Sequence, residues 1–286
     1  MRGPVLMLTA IGLFAVLDTV TKWLSAGYGS AQVIALRSAV GLSLAGPFVR
    51  GASRIPRERL LLHGLRGLFI LASAFSFFQA FALLPLLDAY LVFFLAPFFT
   101  MGLAVVVLGE RVGVRAWTWA GLAFAGVLVP ILPALTAGGP LFGYLAALLG
   151  TGATAGVMIT TRRLGTHEGL AVAMAVPALL GLVLFGPAAA LMWVSPPVRD
   201  FAVLLLNGVL WSGANLALTA AVRAAEPSRL APLDFTAMLW ALLFDALVFG
   251  LSPGLLDLAG AGIVILATLG HQAEQRRQLR RSQGIG

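Results

Sequence analysis

The sequence predicts an all-α polytopic membrane protein: ten transmembrane helices arranged as two inverted five-helix repeats, with both termini in the cytoplasm. Three observations carry that expectation. Of the 286 residues 60% are hydrophobic and 10% charged, with a mean hydropathy of +0.98, against about 45–50% and about 25% in soluble domains. Ten stretches are long and apolar enough to cross a bilayer core, which takes about 20 helical residues. The basic residues fall almost entirely in alternate connections between those stretches.

The stretches run from Pro4 to Leu24, Ala31 to Val49, His63 to Leu84, Asp88 to Leu108, Ala116 to Leu135, Leu141 to Thr161, Leu170 to Val194, Phe201 to Val222, Arg229 to Gly250 and Gly254 to Leu269. Placing the N-terminus in the cytoplasm gathers 16 of the 19 basic residues on that side, from Arg2 through Arg50–Arg66, Arg111/Arg115, Arg162/Arg163 and Arg223/Arg229 to Arg276–Arg281. The opposite connections carry only Arg199. The net charge of +8 is therefore an orientation signal, and nucleic acid is not expected as a partner. Membrane lipid is, with the basic tail able to touch anionic headgroups. A cleaved leader is not expected at the N-terminus, because the first apolar run continues into Asp18 and Lys22 without a small-residue cleavage site.

Five spans per half make the second half enter the membrane from the opposite side, the plan of many secondary transporters. The expected units are 1–135 and 136–272, followed by a basic cytoplasmic tail, 273–286. A single offset of 141 residues places Gly109 on Gly250, Gly113 on Gly254 and Gly121 on Gly262. Gly152 and Gly156 form a GxxxG pair, read as close helix packing.

Chemistry is limited by what is missing. With no cysteine and with His63, His167 and His271 at the cytoplasmic edges, neither a metal centre, a cofactor nor a catalytic nucleophile is expected. Ionisable groups inside spans are costly and need partners or a water-filled path. Asp18, Lys22, Arg37 and Asp245 fall at comparable depth near the outer ends of their spans; Arg66 and Asp234 fall near the inner ends. These six are candidates for gates or for static ion pairs between helices. At mid-depth the candidates for substrate contact are uncharged: Ser73, Ser76 and Phe77 in the third span, Phe94 in the fourth, Thr151 and Thr154 in the sixth, Trp211 and Asn215 in the eighth, and Trp240 in the ninth. Asn207, Trp211, Asn215 and Thr219 recur every fourth residue and make one polar stripe. Pro97 and Pro232 each free a carbonyl one turn earlier, for a kink or a ligand.

Specific motifs add a family resemblance. Asp18-Thr-Val-Thr-Lys22-Trp23, Gln32 through Arg37, Leu84-Pro85-Leu-Leu-Asp88-Ala89, Ala96-Pro97 and Leu108-Gly109-Glu110-Arg111 in the first half resemble the EamA family of the drug/metabolite transporter superfamily. Ala231-Pro232-Leu233, Leu239-Trp240-Ala241 and Phe249-Gly250 do so in the second, with Leu251 where the family pattern has an acid. The resemblance implies export of small metabolites across a bacterial inner membrane, with YddG-type amino-acid exporters as the comparison. The uncharged midplane suits a zwitterionic or neutral small molecule, its ammonium on aromatic faces and its carboxylate on Asn or hydroxyl donors. The alternatives are a drug or S-adenosylmethionine-like organic cation, which lacks a midplane acid here, and an intramembrane enzyme or receptor. Oligomeric state stays open, a monomer being compatible.

Overall fold

The computed structural model describes residues 2–49, 57–164, 170–224 and 230–282. Among the described residues the chain is helical throughout, with no strand. The helices are α1 (Arg2–Ser25), α2 (Ser30–Val49), α3 (Arg57–Leu83), α4 (Leu86–Phe93), α5 (Ala96–Leu108), α6 (Val114–Thr136), α7 (Leu141–Leu164), α8 (Leu170–Leu191), α9 (Val198–Ala224), a 3-10 turn η1 (Ala231–Phe235), α10 (Thr236–Phe249) and α11 (Leu255–Ser282). Among the described residues eight segments are long and apolar enough to span a membrane: α1, α3, α4 with α5, and α6, α7, α8, α9 and α11. The other two expected spans are also helical, α2 with its 20 residues and η1 running on into α10. Arg50, Arg54, Arg229, His167 and residues 283–286 lie outside the described residues.

Two spans expected as single helices are broken, and a proline stands at each break. Pro97 has no N–H to return to Phe93, so the chain turns through Phe94 and Leu95 and restarts as α5. Ala231 and Pro232 open the tighter η1 turn that precedes α10. Two other boundaries move outward. The third span begins at Arg57, well before His63, and the last helix runs through Ser282, so the backbone of the basic tail is helical almost to its end.

Pairing between the halves is reciprocal. α1 packs along α9 as α3 packs along α7; α2 meets α8 and α6 meets α11; α2 also touches α9 as α3 touches α8. The 141-residue offset reproduces local geometry at three levels. Gly109 and Gly250 both end their helices in the left-handed region, at φ 69° and 65°. The residue after each, Glu110 or Leu251, donates to the carbonyl of Ala104 or Asp245, themselves 141 apart. Gly67 of α3 faces α8, where a Cβ would stand 2.7 Å from Leu180 Cδ1; its counterpart Gly208 of α9 faces α2, where a Cβ would stand 2.6 Å from Val40 Cβ. Small residues at these points let backbones approach where lipid offers no hydrophobic drive to association. In the GxxxG pair only Gly156 is tightly covered, its Cβ position lying 2.8 Å from the Phe69 ring, whereas at Gly152 the nearest atom is 3.8 Å away.

Candidate substrate cavity and its two ends

Between α2, α3, α8 and α9 lies a small cavity lined by Arg37, Ser38, Ile70, Leu71, Pro177, Ala178 and Trp211. Ile70 and Trp211 sit at the middle of α3 and α9, which places the cavity at mid-depth. Its lining repeats the pairing of the halves, since Arg37 and Ala178, and Ile70 and Trp211, are each 141 residues apart. Trp211 is held by the absence of a side chain at Gly41 on α2, where a Cβ would stand 3.0 Å from the indole. The Arg37 guanidinium lies over that indole, 5.8 Å from the ring centroid, a cation–π arrangement strengthened by desolvation.

Arg37, expected with the outer cluster, thus borders the same cavity as Trp211, a mid-depth candidate. Arg37 still interacts electrostatically with Asp18 of α1, as their shared depth predicts. Asp18 in turn accepts a hydrogen bond of 2.6 Å from the Tyr90 hydroxyl on α4.

Of the nine mid-depth candidates only Trp211 lines this cavity. Thr151 has no exposed surface and donates within α7 to Ala147, with a second contact to the Val92 carbonyl of α4. Ser73 and Thr154 share a 2.9 Å hydrogen bond across α3 and α7. Ser76 and Phe77 pack against Gly150 of α7, and Phe77 joins Phe93 in an edge contact. Phe94 stacks on Phe235 of η1 at 5.5 Å and 7°, while Trp240 stacks on Phe244 and lies against Gly12 of α1. The α9 stripe is divided as well. Asn207 donates to Thr21 of α1, whereas Asn215 and Thr219 bond back to their own helix.

At the end of the bundle away from the termini, charged groups bind backbone as much as each other. Asp245 of α10 accepts from both Leu86 N, at 3.0 Å, and Leu87 N, at 2.9 Å. Pro85 supplies no side-chain cap there, so a carboxylate from the other half satisfies two of the orphan donors that begin α4. Lys22 donates to the Leu84 carbonyl, lies over the Phe249 ring and interacts with Asp245 and Asp88. Asp88 accepts from Tyr144 of α7, and Gln32 makes a two-point bond to Val194. In the connection after α1, Tyr28 donates to Asp200 at 2.6 Å, and that hydrogen bond, with burial and the adjacent negative charge, pushes the phenol up to about 12.

The sign follows directly. A tyrosine held above its ordinary value contributes its stability in full below the unfolded value of 10.0 and loses it as pH rises through about 12. Asp200→Asn is expected to return Tyr28 toward the ordinary range, read by ultraviolet titration of the three tyrosines with Tyr28→Phe as reference.

At the end bearing the termini, Arg66 donates to Thr161 and to the Ala173 carbonyl. Asp234 is half-buried on η1, a different element from any that Arg66 bonds in these contacts, so the two expected inner partners are not brought together by them. Arg163 donates to the Val107 carbonyl of α5. The offset of 141 pairs Arg66 with Asn207 and Arg163 with Lys22: α3 is bonded to α7 near one end as α9 is to α1 near the other, and α7 meets α5 as α1 meets α10. Tyr90, Ser38, Ile70 and Arg163 were not singled out by sequence reading. Carrying Trp211 back by the repeat offset would have found Ile70, and carrying Lys22 forward would have found Arg163.

Comparison with known proteins points one way. Residues 1–132 match the model of the EamA-like transporter family. The chain is 26% identical over 256 residues to an S-adenosylmethionine uptake transporter of Rickettsia bellii, covering 88% of this chain and 87% of that protein. It is 27% identical to the pseudopaline exporter CntI of Pseudomonas aeruginosa, over 93% and 94% of the two chains, and 26% identical to a riboflavin transporter of Rhizobium johnstonii, over 98% and 93%. A solved crystal structure, 23% identical, superposes with a TM-score of 0.63 over 96% of this chain and 98% of that one, and shares the fold.

Proposed function

We propose that the chain, a multi-pass membrane transporter of the EamA family and not an enzyme, exports amino acids or closely related small zwitterions across a bacterial inner membrane. The observation that carries the proposal is the mid-depth cavity, where one buried cation lies among apolar walls and an aromatic face. Sixteen basic residues on one side support cytoplasmic termini. The reciprocal helix pairing and the 141-residue correspondences support two inverted halves, 1–135 and 136–272, that rock about the cavity in alternating access. In that scheme Asp18, Lys22 and Asp245 belong to the outer closure and Arg66 to the inner one, with Asp234 beside the inner mouth.

A second reading is favoured by the relatives, since one of them at comparable identity is named for S-adenosylmethionine. Counterflow into proteoliposomes separates the two. Labelled amino acids, offered with and without a pH gradient, are expected to exchange; exchange of an organic cation with none for any amino acid would reverse the assignment.

A further inference from the structure

We propose that Arg37 is the carboxylate-binding residue of this cavity and that, with Asp18 on its other side, it selects a zwitterion. The inference rests on the amino-acid reading and sharpens it.

Arg37 is 8% exposed and sits at mid-depth in a membrane helix, where an ionic side chain needs compensation. Among the described residues it donates no hydrogen bond to a protein group and makes no ion pair; its partners are the Trp211 face and the longer-range field of Asp18. A guanidinium carries five N–H donors in a planar fork. The cation–π contact with Trp211, 5.8 Å from the ring centroid, uses none of those donors. The group that satisfies two of those donors at once is a carboxylate, bound bidentately. Ser38 also lines the cavity, its Oγ lying against Gly181 of α8.

Charge balance narrows the class. The lining supplies one cation, and the nearby anion is Asp18. A dianionic phosphate would meet one positive and one negative group and be poorly compensated. A zwitterion meets both, carboxylate on Arg37 and ammonium toward Asp18, whose other oxygen is already anchored by Tyr90. The remaining walls, Ile70, Leu71, Pro177, Ala178 and Trp211, are apolar, so the probe chosen is a zwitterion with an aliphatic side chain, leucine.

The test is counterflow of labelled leucine into proteoliposomes of the full chain, with leucine, leucinamide and 4-methylpentanoate as competitors. In the wild type, leucine is expected to compete at least about tenfold better than either analogue, the amide lacking the carboxylate and the acid lacking the ammonium. Arg37→Gln is expected to weaken leucine about tenfold or more and to abolish its advantage over leucinamide while leaving thermal unfolding of the purified protein near that of the wild type; Arg37→Lys, which keeps the charge without the fork, recovers part of the affinity. Leucinamide competing equally in the wild type overturns the role of Arg37 without any variant, as does undiminished leucine exchange by Arg37→Gln. No amino-acid exchange by the wild type, with an organic cation exchanging, overturns the parent reading instead.

Discussion

Asp245→Ala is expected to destabilise the detergent-purified protein by about 2–4 kcal/mol, read as a fall in thermal unfolding temperature. The carboxylate accepts from Leu86 N and Leu87 N at 3.0 and 2.9 Å, in a position 3% exposed to solvent. Hydrogen bonds to a charged acceptor contribute about 1.5–3 kcal/mol each, and a buried donor stripped of its acceptor costs a comparable amount. The first turn of α4 has no cap of its own beyond Pro85, so alanine leaves both amides without a replacement. Asp245→Asn keeps one carbonyl acceptor and should lose roughly half as much. Hydrogen exchange at Leu86 and Leu87 localises the effect: faster exchange there on substitution is the expected result, and an unchanged unfolding temperature together with unchanged exchange would show that α4 is held by something else. The contact also joins α10 of one half to α4 of the other, so a weakened far end is the functional corollary.

Gly208→Ala is expected to cost about 1–3 kcal/mol, and its repeat counterpart Gly67→Ala distinctly less. The difference comes from what each new Cβ would meet. At Gly208 it is Val40 Cβ at 2.6 Å, with both Val40 methyls within 3.0 Å; a β-branched side chain has little rotamer freedom in a helix, so α2 and α9 must separate. At Gly67 the nearest atom is Leu180 Cδ1 at 2.7 Å, the end of a side chain that can swing aside. Val40→Ala should restore most of the stability lost by Gly208→Ala, a coupling measurable as a double-mutant cycle. Equal losses at the two glycines would mean that the α2–α9 and α3–α8 contacts yield alike. Because both contacts flank the cavity, transport by Gly208→Ala should fall along with stability.

The helical fold was largely legible because lipid leaves the chain few options: a bilayer accepts helices with their backbone bonds closed internally, and apolar length then marks the spans. Breaks in the fourth and ninth spans were signalled by Pro97 and Pro232, though as kinks and not as new helix starts. The site was less legible. Trp211 stood out because an indole on a polar stripe at mid-depth is conspicuous. Arg37 was identified as charged and paired with Asp18, but its contact with Trp211 was not read, because a residue count does not show which helix faces which. The contacts of Asp245 could not be read at all, since the groups it satisfies are backbone amides of a helix more than 150 residues away. Thr151, Thr154 and Asn215 each donate within their own helix, the ordinary fate of a short polar side chain in a span, which a residue pattern alone does not distinguish from a substrate contact.

The absence of native cysteine makes one measurement decisive for the cavity itself. Ile70→Cys places a single thiol on its wall, opposite Trp211 and beside Arg37. With a small methanethiosulfonate reagent on membranes containing this variant, leucine is predicted to slow modification in a saturable way and at the concentrations that drive its counterflow, while leucinamide does not. Modification at a rate indifferent to leucine, in a variant that still exchanges it, would place the substrate path elsewhere and contradict the account.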